Sequence, residues 1–196
     1  GTMATHSDSK PYVDASSLSG LVSVITPARN ASTKLRGVVE SVAAQTVAVY
    51  EHIVIDDGSV DETPAVLREL AEEFPRLKVL TQKRAGAAAA RNYGIQVARG
   101  RYIAFLDVDD LWHTHKVEQQ IRFMEEQGCL FSYGDYVEMD HEHVQHGKRY
   151  HFPEKLDHWH LLRGCPIGCL TAAYNQEVLG KHYMPLVESG HDWGLW

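Results

Sequence analysis

Between Leu21 and Leu106 the chain alternates between two periods, and that alternation leaves few folds open. Val22-Ser-Val-Ile-Thr26 is a short apolar run of strand type, Leu35, Val38, Val39 and Val42 recur at helical spacing, and His52-Ile-Val-Ile55 is strand-like again. Asp61-Glu-Thr-Pro64 then reads as a helix start, with Thr63 as N-cap and Pro64 at the first helical position; Val66, Leu67, Leu70 and Phe74 form its apolar face. Leu77-Lys-Val-Leu-Thr81 is a third strand, Ala87 to Ala98 an alanine-rich helix stopped by Gly100, and Tyr102 to Leu106 a fourth strand. Strands alternating with helices predict an α/β fold, a largely parallel sheet covered by helices on both faces.

Composition narrows the class. A chain of 196 residues, 44% apolar and 23% charged, is long enough for one domain with a real core. The formal charge of -7, with no long basic run, argues against nucleic acid as a partner. No apolar stretch approaches the roughly 20 residues that span a bilayer, and no signal pattern opens the chain, so the expected location is cytoplasmic. Cys129, Cys165 and Cys169 lack the spacing of a zinc site and read as reduced core residues. Gly1-Thr-Met3 reads as a tag remnant, and residues 1–20, polar and without period, are set aside from the fold.

In parallel sheets ligands bind outside the carboxyl ends of the strands, where the crossovers change direction. Pro27-Ala-Arg-Asn30, Asp56-Asp-Gly-Ser59, Gln82-Lys-Arg-Ala-Gly86 and Asp107-Val-Asp-Asp110 each follow one of the four strands, so the unusual polar residues fall on one rim. Each has a structural explanation alone: Asp-Gly is a common turn, Asn30 can cap the next helix, Arg84 can be a solvated charge. The acidic run is the sharpest signal. Three carboxylates at the end of a buried strand raise one another's pKa unless a cation sits among them. The Asp107-Val-Asp109 pair suits a hard divalent ion, magnesium or manganese, shared with substrate phosphates.

Taken in order, Val22-Ser-Val-Ile-Thr-Pro-Ala-Arg-Asn30, Ser41-Val-Ala-Ala-Gln-Thr46, Glu51-His-Ile-Val-Ile-Asp-Asp-Gly-Ser-Val-Asp61, Ala90-Arg-Asn-Tyr-Gly94 and Gly100-Arg-Tyr-Ile-Ala-Phe-Leu-Asp-Val-Asp-Asp110 resemble the family 2 glycosyltransferases of the GT-A fold. The resemblance covers roughly residues 21–125. It implies a Rossmann-like GT-A domain over residues 21–196, with a nucleotide-binding half (21–110) and an acceptor half (111–196). The implied activity is inverting transfer of a sugar from a nucleotide-sugar, UDP-type favoured, to a saccharide or lipid-linked hydroxyl acceptor in polysaccharide or glycan biosynthesis. Such work implies peripheral association with the inner face of a membrane. Pro27, Arg29 and Asn30 would line the base and ribose pocket, Asp57 of the Asp56-Asp57 pair would accept from the donor base, and Gly86 would lie in the donor loop. Asp109 would hold the metal, and Asp107 would meet ribose or a metal-bound water. Arg84 and Arg91 would grip phosphate, with Arg91 equally readable as a structural helix residue.

Inverting transfer also needs a base within reach of the acceptor hydroxyl. The matching segment is Ser189-Gly-His-Asp-Trp-Gly-Leu-Trp196, with Asp192 as the base and His191 where the family commonly has Glu. Family members usually continue beyond this point, so the acceptor half is expected to be incomplete. Lys116 to Gln127 predicts a helix ended by Gly128, Cys129 to Met139 and Pro166 to Tyr174 are strand-like, and Asp140-His-Glu-His-Val-Gln-His146 reads as a hairpin tip rather than a metal site. Two alternatives stand beside the transferase: a sugar nucleotidyltransferase, which should carry a glycine-rich basic loop after the first strand, and a non-catalytic nucleotide-sugar-binding module.

Overall fold

A computed structural model describes residues 12–127, 131–133, 139–140, 143–144, 172–181 and 183. In chain order they form α1 (Ala15–Leu18), β1 (Val22–Ala28), α2 (Leu35–Ala43), β2 (Glu51–Asp57), α3 (Thr63–Glu73), β3 (Leu77–Gln82), α4 (Ala87–Val97), β4 (Tyr102–Phe105), α5 (Lys116–Gln127), β5 (Phe131–Tyr133), β6 (Met139–Asp140), β7 (His143–Val144), β8 (Ala172–Asn175) and α6 (Gln176–Leu179). Six strands make one sheet in the order β3-β2-β1-β4-β8-β5. β3, β2, β1 and β4 pair in parallel, whereas β8 runs antiparallel to both β4 and β5. The predicted α/β sheet, mostly parallel, is therefore the observed one, with a single reversed strand. β6 and β7 form a separate hairpin inside the histidine-rich segment.

The helices divide between the faces as the apolar spacing requires. Val38 and Val42 of α2 pack with Val22, Val24, Val117, Ile121 and Met124, joining α2 and α5 to one face. Leu35, Val39, Leu67 and Leu70 close α2 and α3 over Val54 on the same side. α4 covers the other face through Ala90 and Ile95 against Ile25, Ile53, Ile55 and Phe105. Its closeness depends on Gly94, where a Cβ would stand 2.7 Å from Ile25 Cγ2. Residues buried on both faces explain why β1 and β2 read as continuous apolar runs rather than alternating ones.

Two expectations are corrected. Part of the segment set aside at the N-terminus joins the fold: Leu18 is fully buried in the α2–α5 cluster, and Val13 accepts a hydrogen bond from the Arg122 guanidinium. A single apolar residue on one helical turn carries too little periodicity to register in sequence. Thr63 is also not the N-cap of α3. The helix starts one residue earlier, with Glu62 in that place, because the Thr63 hydroxyl accepts the Ala31 N–H at 2.9 Å and so ties the β1 loop to the helix. The Asp61 carboxylate receives the Thr63 N–H instead, and its pKa is lowered by the Thr63 side-chain hydroxyl first and then by that N–H. Cys129, Cys165, Cys169, His191, Asp192, Gly128 and residues 159–171 lie outside the described residues.

Pro27 sets the shape of the rim. Odd-numbered residues of β1 face β4, as the Leu106 N–H donated to the Ile25 carbonyl shows, and proline has no N–H to continue that ladder. The β1–β4 pairing stops at Ile25 and Phe105, while β1 stays paired with β2 to Ala28 and Asp56. The ends of β1 and β4 are thus left unpaired where the strand order changes direction, the place where such sheets form a ligand crevice.

His52, 3% exposed, faces Thr26 across this sheet with Nε2 and Oγ1 2.8 Å apart. Burial pushes its pKa down to about 3, so the folded protein holds it neutral. The unfolded chain binds the proton first as pH falls below about 6.5, so this contribution to stability is present above that pH and is lost progressively toward pH 3. The expected stability slope from this residue reaches about 1.4 kcal/mol per pH unit in that window. His52→Gln should flatten the stability–pH curve between about pH 4 and 7, read by urea unfolding; parallel curves for the two proteins would contradict a neutral buried histidine.

Candidate functional site

Every expected rim residue up to Asp109 is described, and the structure sorts them into two groups. The first group is used by the framework. Asn30 adopts φ 48°, a left-handed conformation that asparagine tolerates, and its side-chain oxygen accepts the Val60 N–H while its own N–H donates to Ser59 Oγ, both at 2.9 Å. The Asp56 carboxylate accepts the Ser59 N–H at 3.0 Å, closing the β2 turn. Asp57, 4% exposed, accepts from Gln82 Nε2 at 2.9 Å, from the Ala85 N–H at 2.7 Å and from the Gly86 N–H at 3.0 Å. Its carboxylate thus clamps the loop between β3 and α4. Gly58 helps, because a Cβ there would meet the Arg84 backbone nitrogen at 2.7 Å.

Arg91 belongs to the same group. It is 2% exposed, and its NH2 donates to Asp107 Oδ1 at 2.9 Å, from α4 to the turn after β4. The guanidinium therefore lies beneath the rim, in the helix position that was the alternative to a phosphate grip. Asp107, with about a third of its side chain exposed, is anchored by it.

The second group is free to exchange partners. Arg29 and Arg84 are exposed on the loops after β1 and β3 and make no ion pair among the described residues. Asp109 has a side chain 68% exposed and pairs with Lys34, which stands just before α2. Asp110, next in the chain, is partly buried, and its pKa is raised by burial first and then by the charges of Asp107 and Asp109. The turn is closed by the Asp110 N–H on the Asp107 carbonyl at 3.1 Å.

Two of these roles were missed in the sequence. Nothing in a linear string pairs Lys34 with a residue 75 positions away, although Lys34 lies in the loop of the same rim. The Asp57 clamp was missed because a carboxylate after a strand reads equally as ligand contact or loop anchor.

Whether this site suits a divalent ion follows from its donors. Among the described residues no three His, Cys, Asp or Glu side chains form a ready-made cage. A magnesium-like ion does not require one, since it commonly takes one or two carboxylates and fills its sphere with water and phosphate oxygens. Asp109 offers one exposed carboxylate beside two others whose charge is only partly balanced, which fits an ion brought in with substrate.

Comparison with known proteins identifies the family. The sequence profile described as Glycosyl transferase family 2 matches residues 23–181. The chain belongs to that family. Over 177 residues it is 38% identical to the Bacillus subtilis protein named putative teichuronic acid biosynthesis glycosyltransferase TuaG, covering 90% of this chain and 70% of that one. It is 39% identical to the Escherichia coli UDP-Glc:alpha-D-GlcNAc-diphosphoundecaprenol beta-1,3-glucosyltransferase WfgD, covering 90% and 68%. Its fold is similar to that of S. aureus TarS, with a TM-score of 0.68 at 20% identity over 89% of this chain and 52% of the other. It is also similar to the Pyrobaculum calidifontis mannosyltransferase PcManGT in complex with GDP-Man and Mn2+, with a TM-score of 0.63 at 22% identity over 89% and 50%. The chain thus spans about half the length of these solved structures.

The Asp57 clamp gives a direct test. Asp57→Ala strands two backbone donors, and we expect a stability loss of about 1–3 kcal/mol with faster amide exchange at Ala85 and Gly86. Unchanged protection at both amides would show that the carboxylate does not order the loop.

Proposed function

We propose that this family 2 chain carries the donor-binding half of an inverting glycosyltransferase. Its substrate is a nucleoside diphosphate-sugar, UDP-type favoured, and its acceptor a hydroxyl on a saccharide or lipid-linked glycan. The observation that carries this reading is the pairing pattern of the turn after β4: Asp107 is anchored on buried Arg91, whereas Asp109 stands exposed in the crevice with an exchangeable partner. One fixed and one available carboxylate at the switch point suit a diphosphate held through a divalent ion, magnesium or manganese.

The residues divide the work. Pro27, Arg29 and Asn30 form the wall of the crevice beside β1, and Arg29 and Arg84 are the exposed guanidiniums available to phosphate oxygens. Asp57 already accepts three protein hydrogen bonds, which leaves about one lone-pair site for a pyrimidine N–H. Gly86 and the clamped loop then present backbone rather than side chain to the donor. When bound, the metal offsets charge that grows on the departing diphosphate.

Asp192, outside the described residues, is the proposed base. It takes the proton of the acceptor hydroxyl while that oxygen bonds to the anomeric carbon on the face opposite the nucleoside diphosphate, whose bond to the same carbon breaks. The names of the WfgD and TuaG relatives point to a lipid-diphosphate-linked acceptor and a cell-surface polysaccharide. Action at the inner face of a membrane by peripheral association is part of the same reading. No helix among the described residues is long and apolar enough to cross a membrane.

Calorimetric titration of UDP, GDP, TDP and ADP, each with Mn2+ and with chelator, tests this. The expected result is metal-dependent binding of UDP, lost in Asp109→Ala. Asp192→Ala should retain that binding and lose transfer to acceptor. Transfer by the unaltered chain would exclude a non-catalytic nucleotide-sugar module, whereas binding without transfer would fit that module and a donor-binding half alike; equal binding with chelator would remove the metal from the reading.

A further inference from the structure

The three carboxylates after β4 differ in what neutralises them. Asp107 is held by a guanidinium that is 2% exposed, packed into the fold on α4. Asp110 has no cation among the described residues. Asp109 is paired with Lys34, and the two side chains are 68% and 55% exposed. Exposed pairs of this kind shift an equilibrium only a few-fold, so this contact is easily exchanged.

Lys34 is also placed to do something after it lets go. It occupies the N-cap position of α2, on the loop that follows β1, so it reaches Asp109 across the crevice from the opposite wall. Lysine carries its charge as a compact ammonium on a flexible four-carbon stem with three donors, which allows a change of partner without a change of backbone.

We propose that Lys34 is an exchangeable counter-ion of the donor site. It neutralises Asp109 while the crevice holds no nucleotide, yields that carboxylate to the divalent ion that enters with a nucleoside diphosphate, and then pairs with the diphosphate. This rests on the reading of the crevice as a metal-assisted nucleotide-sugar site. Its consequence is ordered selectivity: Lys34 opposes binding of the bare metal ion and favours the metal–nucleotide complex, so one side chain acts with opposite sign on the two.

That opposition of signs is the test. Mn2+ binding is read from the electron paramagnetic resonance signal of the free ion, alone and with UDP, in the unaltered chain, Lys34→Met, Asp109→Asn and Arg36→Gln. Arg36 lies two residues on, pairs with Glu40 and Glu73, and serves as a control for the loss of one positive charge. Thermal unfolding of each variant confirms folding. Lys34→Met is expected to tighten Mn2+ alone by about fivefold and to weaken Mn2+–UDP by about as much, the scale of one exposed ion pair gained or lost. Arg36→Gln should leave both unchanged. Shifts of the same sign, no shift in either, or an equal effect from Arg36→Gln would overturn the role of Lys34 while leaving the metal site standing. Mn2+ and Mn2+–UDP binding that is indifferent to Asp109→Asn would overturn the donor-site reading itself, and with it the exchange.

Discussion

A buried guanidinium has few ways to be stable, and the placement of Arg91 organises the acidic end of β4. It sits on α4, packed against the sheet at 2% exposure, and it reaches forward to the Asp107 carboxylate. Taking either charge out of water carries a desolvation penalty of several kcal/mol, repaid only by good pairing geometry. Truncating Asp107 would therefore take a close carboxylate partner from a buried charge. The pair makes the turn after β4 a rigid extension of α4 rather than a loose loop. The closed turn from Asp107 to Asp110 then fixes where Asp109 emerges.

From that anchor the rest of the rim follows a common logic. Short polar residues consume backbone donors that the ends of β1, β2 and β3 leave unmatched. Asn30 and Ser59 join the first two loops, Thr63 ties Ala31 to α3, and Asp57 draws in the loop ahead of α4. Four loops become one cross-linked ledge on which the long side chains, Arg29, Arg84 and Lys34, remain free to move. Rigid backbone with mobile charge suits an anionic ligand: the ledge needs no reordering, and the charges adapt to the phosphates.

Much of the fold was readable because buried parallel strands and amphipathic helices impose patterns that survive without coordinates. α5 was predicted with the bounds Lys116–Gln127, and α4 differs by one residue at its end. Prediction failed where long-range partners decide. Thr63 looks like an N-cap because Thr-Pro starts many helices, but its hydroxyl is claimed by Ala31, 32 positions earlier. Leu18 carries too little local pattern to show that α5 covers it. For the site, the positions of the polar clusters followed from the rule that loops at the carboxyl ends of strands share one rim. Which member of each cluster is structural did not follow. Asp56 and Asp57 are adjacent and chemically identical, yet one closes its own turn and the other holds a distant loop.

The contrast between Asp107 and Asp109 bears on how the proposed site would take an ion without a cage. A resident ion needs several protein ligands fixed at once, which demands that like charges be held together in its absence. Here Asp107 is fixed by a buried cation, Asp109 is screened by a lysine in water, and the Asp110 pKa is raised by burial first and then by its two neighbours. The charge cluster is thereby tolerable without metal, at the expense of weak intrinsic affinity for it. In the proposed reading, most of the affinity would come from the phosphates of the donor. In the proposed donor site, an ion held on those terms would enter and depart with the nucleotide, so release of product would not require a tightly bound cation to be stripped from the protein.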